Sequence, residues 1–198
     1  MAKLYFRHGT MGSAKTLNLL AVAHSYRQQG KRVILLKPDL DTRFGKQNIK
    51  SRAGLQMEAD VLVSPNTNLF ELDLEGVSCM LVDEAQFLTP ENVQQLRDIA
   101  LLKSIPVICY GLRTDFRSKL FPGSMRLMEL SDSIEEIKAT CFFCNRKSIM
   151  NLKHVDGKPT LDGPTVQIGA EEKYLPVCYA CYREQLESAK KEESLVSV

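Results

Sequence analysis

The stretch "GTMGSAKT" at residues 9–16 sets a lysine and a hydroxyl residue behind a compact run of small residues. Those residue types suit one task, the cradling of phosphates. Successive backbone N–H groups converge on the phosphate oxygens, a lysine reaches the β- and γ-phosphates, and a hydroxyl holds Mg²⁺. Lys15 and Thr16 supply the last two, while Gly9, Gly12 and Ser13 keep the loop compact. Ala14 stands where the pattern G-x-x-x-x-G-K-[ST] has its second glycine. The expectation is a negative φ at Ala14, with its N–H still facing the phosphates. A positive φ would cost roughly 1 kcal/mol and weaken nucleotide binding.

A second constellation lies at "CMLVDEAQF", residues 79–87. An apolar strand that ends in an aspartate is where phosphate-loop enzymes place the carboxylate that orients Mg²⁺. Asp83 fits that role, and Glu84, one residue on, can point into the site as a base. The two motifs follow one another in the required order, so together they predict a nucleotide site.

The third constellation is "CFFC" at 141–144 and "CYAC" at 178–181. Each C-x-x-C pair can place two thiolates on one metal. Cys141, Cys144, Cys178 and Cys181 then complete a tetrahedral S₄ shell with no open position, which reads as structural Zn²⁺. The segment 145–177 between the pairs becomes a long excursion pinned at both ends, and loops of that length tend to be functional. Cys79 and Cys109 sit alone inside apolar runs. With no visible signal peptide, metal binding is favoured over disulfides, and a reducing, cytoplasmic setting is expected. His8, His24 and His154 are not expected to bind metal.

The elements that must position these groups alternate. Residues 3–8, 32–38, 59–64, 79–84 and 106–112 are near-continuously apolar, which suits parallel strands covered on both faces. Helices are predicted over 15–29 and over 90–103, the latter opened by Thr89 as N-cap and Pro90 at the first helical position. Strands alternating with helices imply right-handed crossovers and an open α/β sheet with helices on both faces. From about residue 139 the texture turns to short polar segments and Asp-Gly pairs at 156–157 and 162–163, closed by a helix over 180–190. The expected division is 1–138 for the nucleotide-binding α/β domain, 139–190 for a metal-stapled hairpin domain, and 191–198 for a flexible tail.

Composition narrows the partners. The chain has 198 residues, 44% hydrophobic and 25% charged, with a net charge of only +2. No polyanion-binding face follows from that balance, so nucleic acid is not the default partner. The longest apolar run, Leu19–Ala23, is too short for a membrane span or a secretory core.

The combination resembles the thymidine kinases shared by bacteria and the cytosol of animal cells, the type II family, over roughly residues 3–182. The resemblance is carried by "GTMGSAKT", "DTRF" (41–44), "LVDEAQFL" (81–88), "CYGLRTDF" (109–116), the two cysteine pairs and "VQIGAEEKY" (166–174). It implies a RecA-like phosphate-loop domain with a small zinc-ribbon-like lasso. It also implies ATP-dependent 5′-phosphorylation of thymidine, with deoxyuridine as a further substrate. By that resemblance Gly9, Thr10, Met11, Gly12, Ser13, Ala14, Lys15 and Thr16 would hold the ATP phosphates, joined by Asp41, Arg43, Asp83 and Gln86. Thr16 and Asp83 would organise Mg²⁺, and Glu84 would be the catalytic base on the 5′-hydroxyl. Phe87, Leu112, Phe116 and Phe121 would wall the thymine pocket. Thr165, Val166, Ile168 and Gly169 would belong to the lid over the nucleoside, and Tyr174 would touch the sugar. A homotetramer, inhibition by dTTP, and no nucleic-acid or membrane partner are also implied. Ala14 and Ala170 depart from the family's glycines, each by one methyl group.

A nucleic-acid-dependent ATPase carrying a zinc ribbon is the competing reading, since "VDEAQ" also suits a motor. The α/β region leaves little room for a motor's later motifs, and the cysteine-bearing region lacks a basic, aromatic-rich face.

Overall fold

The computed structural model describes residues 1–42, 45–165 and 174–196, apart from the side chains of residue 190 and residues 192–196. Six parallel strands form the main sheet: β1 (Leu4–His8), β2 (Arg32–Pro38), β5 (Val61–Val63), β6 (Val77–Val82), β7 (Val107–Gly111) and β8 (Ser133–Glu136). Their spatial order is β5-β2-β6-β7-β1-β8. Two further short strands, β3 (Asn48–Lys50) and β4 (Gln56–Glu58), pair as an antiparallel hairpin.

Alternation along the strands builds two cores. In β6, Cys79 and Leu81 face one side while Met80 and Val82 face the other; in β2, Val33 and Leu35 oppose Ile34 and Leu36 in the same way. Successive strand side chains point to opposite faces, and here both faces are covered, which explains the unbroken apolar runs. Helix α1 (Lys15–Gln28) buries Leu19, Leu20 and Ala23 against the first face. Helices α2 (Pro90–Leu102) and α3 (Pro122–Leu130) close the second, with Val93, Leu96, Ile99, Ala100 and Leu127 fully or almost fully buried. The start of α2 is a capping box: Thr89 accepts from the N–H of Asn92, whose side chain accepts from the N–H of Thr89, and Pro90 is the first helical residue.

The second module is a three-stranded sheet of order β10-β9-β11, with β9 (Met150–Val155), β10 (Lys158–Pro159) and β11 (Tyr174–Val177). Asp156 and Gly157 both take positive φ, 52° and 78°, as a two-residue hairpin turn between β9 and β10 requires. Helix α4 (Tyr179–Val196) packs Tyr182 and Leu186 onto Met150, Leu152 and Val177. It runs past Lys190 over most of the stretch expected to be a tail.

Three elements had no expectation attached. Edge strand β8 is polar and half-exposed, so it lacks the apolar run that marks its neighbours. Hairpin β3–β4 and helix α3 likewise are too short to carry a strong periodic signal of their own. Yet α3 bears directly on the site, because Gly123 in its first turn rests on the backbone after β6. A Cβ there would lie 2.6 Å from the Leu88 carbonyl, 2.7 Å from that of Ala85 and 3.0 Å from that of Gln86. Gly123→Ala is therefore expected to push α3 away and destabilise the protein by about 1–3 kcal/mol, read as a lower urea midpoint with an unchanged slope.

Candidate active site

The loops that follow β1, β2, β6 and β7 meet at the carboxyl ends of the strands, where open α/β sheets bind their ligands. Lys15, the first residue of α1, is buried and folds back over the loop. Its Nζ donates to the Thr10 carbonyl at 2.8 Å, the Gly9 carbonyl at 3.2 Å and Ser13 Oγ at 3.4 Å. Beside it, Thr16 Oγ1 donates to both Asp83 oxygens, at 3.2 and 3.1 Å. A hydroxyl and a carboxylate in contact form a hard-oxygen pair of the kind Mg²⁺ selects, so these residues fit the ion.

Ala14 overturns its expectation. It is left-handed, with φ 63° and ψ 25°, as N-cap of α1, and no side chain caps the helix there. The reversal from loop to helix at this point uses the conformation that glycine supplies without penalty. The loop is thus strained by roughly 1 kcal/mol at Ala14, and weaker ATP binding is the consequence to expect.

Glu84 is the second non-glycine residue held left-handed at the site, with φ 49° and ψ 37°. It lies two residues past β6 and opens the 3-10 turn Ala85–Phe87, so the chain turns a sharp corner at Glu84. Strain of this kind persists only where surrounding structure enforces it, and it clusters at functional sites. Asp83, Glu84 and Gln86 are all buried. Gln86, expected among the residues that hold the ATP phosphates, instead bonds within the protein: its Nε2 donates to Glu84 Oε2 and its Oε1 accepts from the N–H of Leu112 at 2.9 Å.

One cavity of about 260 Å³ joins the loop to the wall expected for a nucleoside. Met11, Gly12, Ser13, Ala14, Lys15 and Thr16 line one end, with Asp41, Asp83, Glu84 and Gln86. Phe87, Leu112, Phe116, Phe121, Thr165 and Tyr174 line the other. Phe87 and Phe121 meet edge-on at 5.8 Å between centroids, and Phe116 lies 6.1 Å from Tyr174. Burial raises the Tyr174 hydroxyl above its ordinary pKa, so it stays neutral as a donor. Gly9 and Thr10 sit behind the cavity lining and hold Lys15 through their carbonyls. Asp41 is buried in an ion pair with Lys37 at 3.2 Å. Arg43, Val166, Ile168 and Gly169 lie outside the described residues, as does Ala170.

The cavity also contains residues the sequence did not single out. Asn48, Lys50, Ser51 and Arg52 come from the β3–β4 hairpin, which faces the phosphate loop. Its only signal was the largely polar run "NIKSRAG", which ends at Gly54, where a φ of 90° marks the turn. Asn151 of β9 accepts from the N–H of Met11 at 2.8 Å, and Ser148 and Thr10 share a hydrogen bond of 2.9 Å. Nothing local in the sequence marks contacts that join residues so far apart in the chain. Asp115 lines the cavity too, and its Oδ1 accepts from the N–H groups of Arg117 and Lys119, shaping the loop that carries Phe116.

The cysteine pairs converge. All four sulfurs lie within 4.8 Å of one another, with Cys144 Sγ 3.7 Å from Cys178 Sγ and 3.8 Å from Cys181 Sγ. Zinc–sulfur bonds of about 2.3 Å at tetrahedral angles put sulfurs about 3.8 Å apart, so the set fits Zn²⁺. Burial would raise the Cys141 thiol, but backbone N–H groups of Cys178, Phe143 and Cys144 outweigh it and lower its pKa to about 6. Cys79 goes the other way, pushed up by burial to about 12, and burial also raises Cys109. Those two are core thiols.

The thymidine kinase family model matches residues 2–182. A thymidine kinase of Lactiplantibacillus plantarum is 48% identical over 181 residues, covering 90% of this chain and 94% of that protein. Thymidine kinases of Enterococcus faecalis and Lactococcus lactis are 44% and 43% identical over 185 residues, each covering 92% of this chain and 95% and 97% of their own. A solved structure, the Pif1 helicase from Candida albicans, overlays with a TM-score of 0.41 and 12% identity, covering 69% of this chain and 36% of that one, too distant to bear on function.

Ala14→Gly is expected to stabilise the ligand-free protein by up to about 0.5 kcal/mol, the left-handed penalty less the extra freedom glycine has when unfolded. Equilibrium unfolding measures it, and a loss of stability would contradict the strain. Strong chelation is expected to release about one zinc per chain. It should expose the four clustered thiols to a thiol reagent while Cys79 and Cys109 react only after unfolding, as titration before and after denaturation will show.

Proposed function

This chain belongs to the thymidine kinase family, and from that premise we propose how its own residues phosphorylate thymidine. The enzyme is a phosphotransferase with ATP as donor. The observation that carries the residue assignment is the single cavity in which the phosphate loop, Glu84 and the phenylalanine wall are contiguous.

ATP phosphates would lie along residues 9–16, where Lys15 exchanges its contacts with loop carbonyls for phosphate oxygens. Thr16 and Asp83 would hold Mg²⁺, which when bound neutralises phosphate charge. Asp41 and Arg43 would complete the donor side, as the family resemblance implies. Thymine would stack in the space bounded by Phe87, Leu112, Phe116 and Phe121, and Tyr174 would donate to the sugar. By the family resemblance Thr165 would begin the lid, and Val166, Ile168 and Gly169 would touch the base.

The 5′-oxygen then bonds to the γ-phosphorus as the bond to the β–γ bridging oxygen breaks and ADP leaves. A carboxylate is too weak a base to ionise an alcohol at the outset. Glu84 takes the proton late, once the oxygen has begun to bond to phosphorus and its acidity has risen. The loose transition state asks chiefly for positioning and charge neutralisation, which this constellation supplies.

Deoxyuridine fits the same scheme, since it lacks only the 5-methyl group. dTTP carries nucleoside and triphosphate in one molecule and would occupy parts of both ends of the cavity as an end-product inhibitor. Assembly as a homotetramer in the cytoplasm is the reading the family resemblance supports. No helix among the described residues is long and apolar enough to cross a membrane.

Glu84→Gln is expected to bind ATP within about twofold of the unmodified protein while kcat falls about 10²–10⁴-fold. The assay is ADP release with thymidine, with single-stranded DNA, and with neither. Full thymidine-dependent turnover in the variant would refute the base assignment, and release that depends on DNA would favour a nucleic-acid motor.

A further inference from the structure

Gln86 is 1% exposed and is bonded at both ends of its carboxamide. Leu112 N–H can only donate, so the atom facing it at 2.9 Å is Oε1; that leaves Nε2, a donor, on Glu84 Oε2. The carboxamide therefore links the carboxylate at the end of β6 to the first residue after β7. Gly111 leaves the room for it. A Cβ at Gly111 would come within 2.7 Å of Gln86 Oε1 and 3.1 Å of Gln86 N.

Glu84 has its backbone fixed by the left-handed corner, but its side chain still has three torsions to settle. A general base must sit within hydrogen-bond reach of the proton it takes, and misplacement by about 1 Å can cost about 100-fold in rate. The donor Nε2 engages one carboxylate oxygen. Oε1 anchors that donor to the segment that goes on to Leu112 and Phe116, the nucleoside wall. Base and acceptor pocket are thereby held in one frame.

We propose that Gln86 is a positioning residue for the phosphoryl transfer: its carboxamide aims the Glu84 carboxylate and locks it to the end of β7, and Gly111 is required there because any side chain would displace that carboxamide. The proposal rests on Glu84 acting as the base.

The test compares Gln86→Met, Gln86→Glu and Gly111→Ala, each alone and in a Glu84→Gln background, by kcat, both KM values, ATP-analogue binding and thermal melting. Gln86→Met keeps the length and loses the paired bonds, and it should lower kcat about 10–100-fold with both KM values within about threefold. Gln86→Glu keeps the acceptor for Leu112 N–H but sets a second buried carboxylate against Glu84, so it should melt lower, increasingly so as pH rises, and show at least the same kcat loss. Gly111→Ala removes no polar atom and should lower kcat in the same direction. In the Glu84→Gln background the Gln86 substitutions should add less than about threefold, because residues acting as a unit are not additive. A full further loss in that background, a normal kcat in Gln86→Glu, or a raised KM for ATP with kcat retained would each overturn the positioning role. Normal turnover in Glu84→Gln alone would instead overturn the base assignment. Should Gln86→Met fail to fold, Gln86→Glu and Gly111→Ala decide the matter.

Discussion

Tyr5 of β1 and Leu81 of β6 are both level with Ile108 of β7, and that parallel register sets the spacing of everything at the site. β1 and β7 end level, His8 beside Gly111, and β6 ends two residues earlier, Val82 beside Cys109, so the three chains are released close together. The phosphate loop leaves β1, the acidic pair leaves β6 and the Leu112 segment leaves β7, each into the same cavity. Thr16 can then meet Asp83, and Gln86 can reach the N–H of Leu112, although the partners are far apart in sequence. A slip of one residue in β6 would exchange Cys79 and Leu81 for Met80 and Val82 between the two cores, and would carry Asp83 and Glu84 to the wrong faces. Burial of both faces therefore fixes the chemistry as firmly as it fixes the fold.

That dependence explains what the sequence disclosed. Strands buried on both faces leave unbroken apolar runs, so β2 was legible over residues 32–38, and β1, β6 and β7 to within a residue or two at each end. The cap of α2 was legible because Thr89, Pro90 and Asn92 act locally. Edge strand β8 was not, because one side of it has no neighbour to demand apolar residues. The catalytic motifs were readable because loop and acid each sit within one βα unit. The contacts of Ser148 and Asn151 with the loop were not, since they arise only when the second module docks.

Ala14 shows where residue type misleads. Alanine in place of glycine suggested a backbone that suits alanine, with negative φ. The observed 63° shows instead that the turn between β1 and α1 dictates the conformation and the residue submits to it. The penalty is small against the stability of a domain of this size, about 5–15 kcal/mol, so the fold tolerates it. Glu84 submits in the same way at the end of β6. Two strained corners thus line the same end of the cavity, and both are imposed by strands whose registers are settled in the cores below.

The second module is part of this arrangement and not an appendage. Thr10 and Met11 bond to Ser148 and Asn151, so the rear of the phosphate loop rests on the start of β9. Tyr182, one residue after the last cysteine, donates to the Phe116 carbonyl at 2.6 Å, which ties the first turn of α4 to the proposed nucleoside wall. Arg117 donates to the carbonyl of Leu161 at 2.9 Å and to that of Gly163, and Lys153 Nζ donates to the Asp162 carbonyl at 2.8 Å. Both cations lie over the Phe116 ring, at 4.6 and 4.7 Å from its centroid. Phe116 is thus held from behind by α4 and from above by the cations that pin the chain at 161–163. The four sulfurs set where α4 begins, and α4 sets where Phe116 can stand. A metal held by the four sulfurs would then bear on the proposed acceptor pocket by geometry alone, through a tyrosine hydroxyl and a backbone carbonyl.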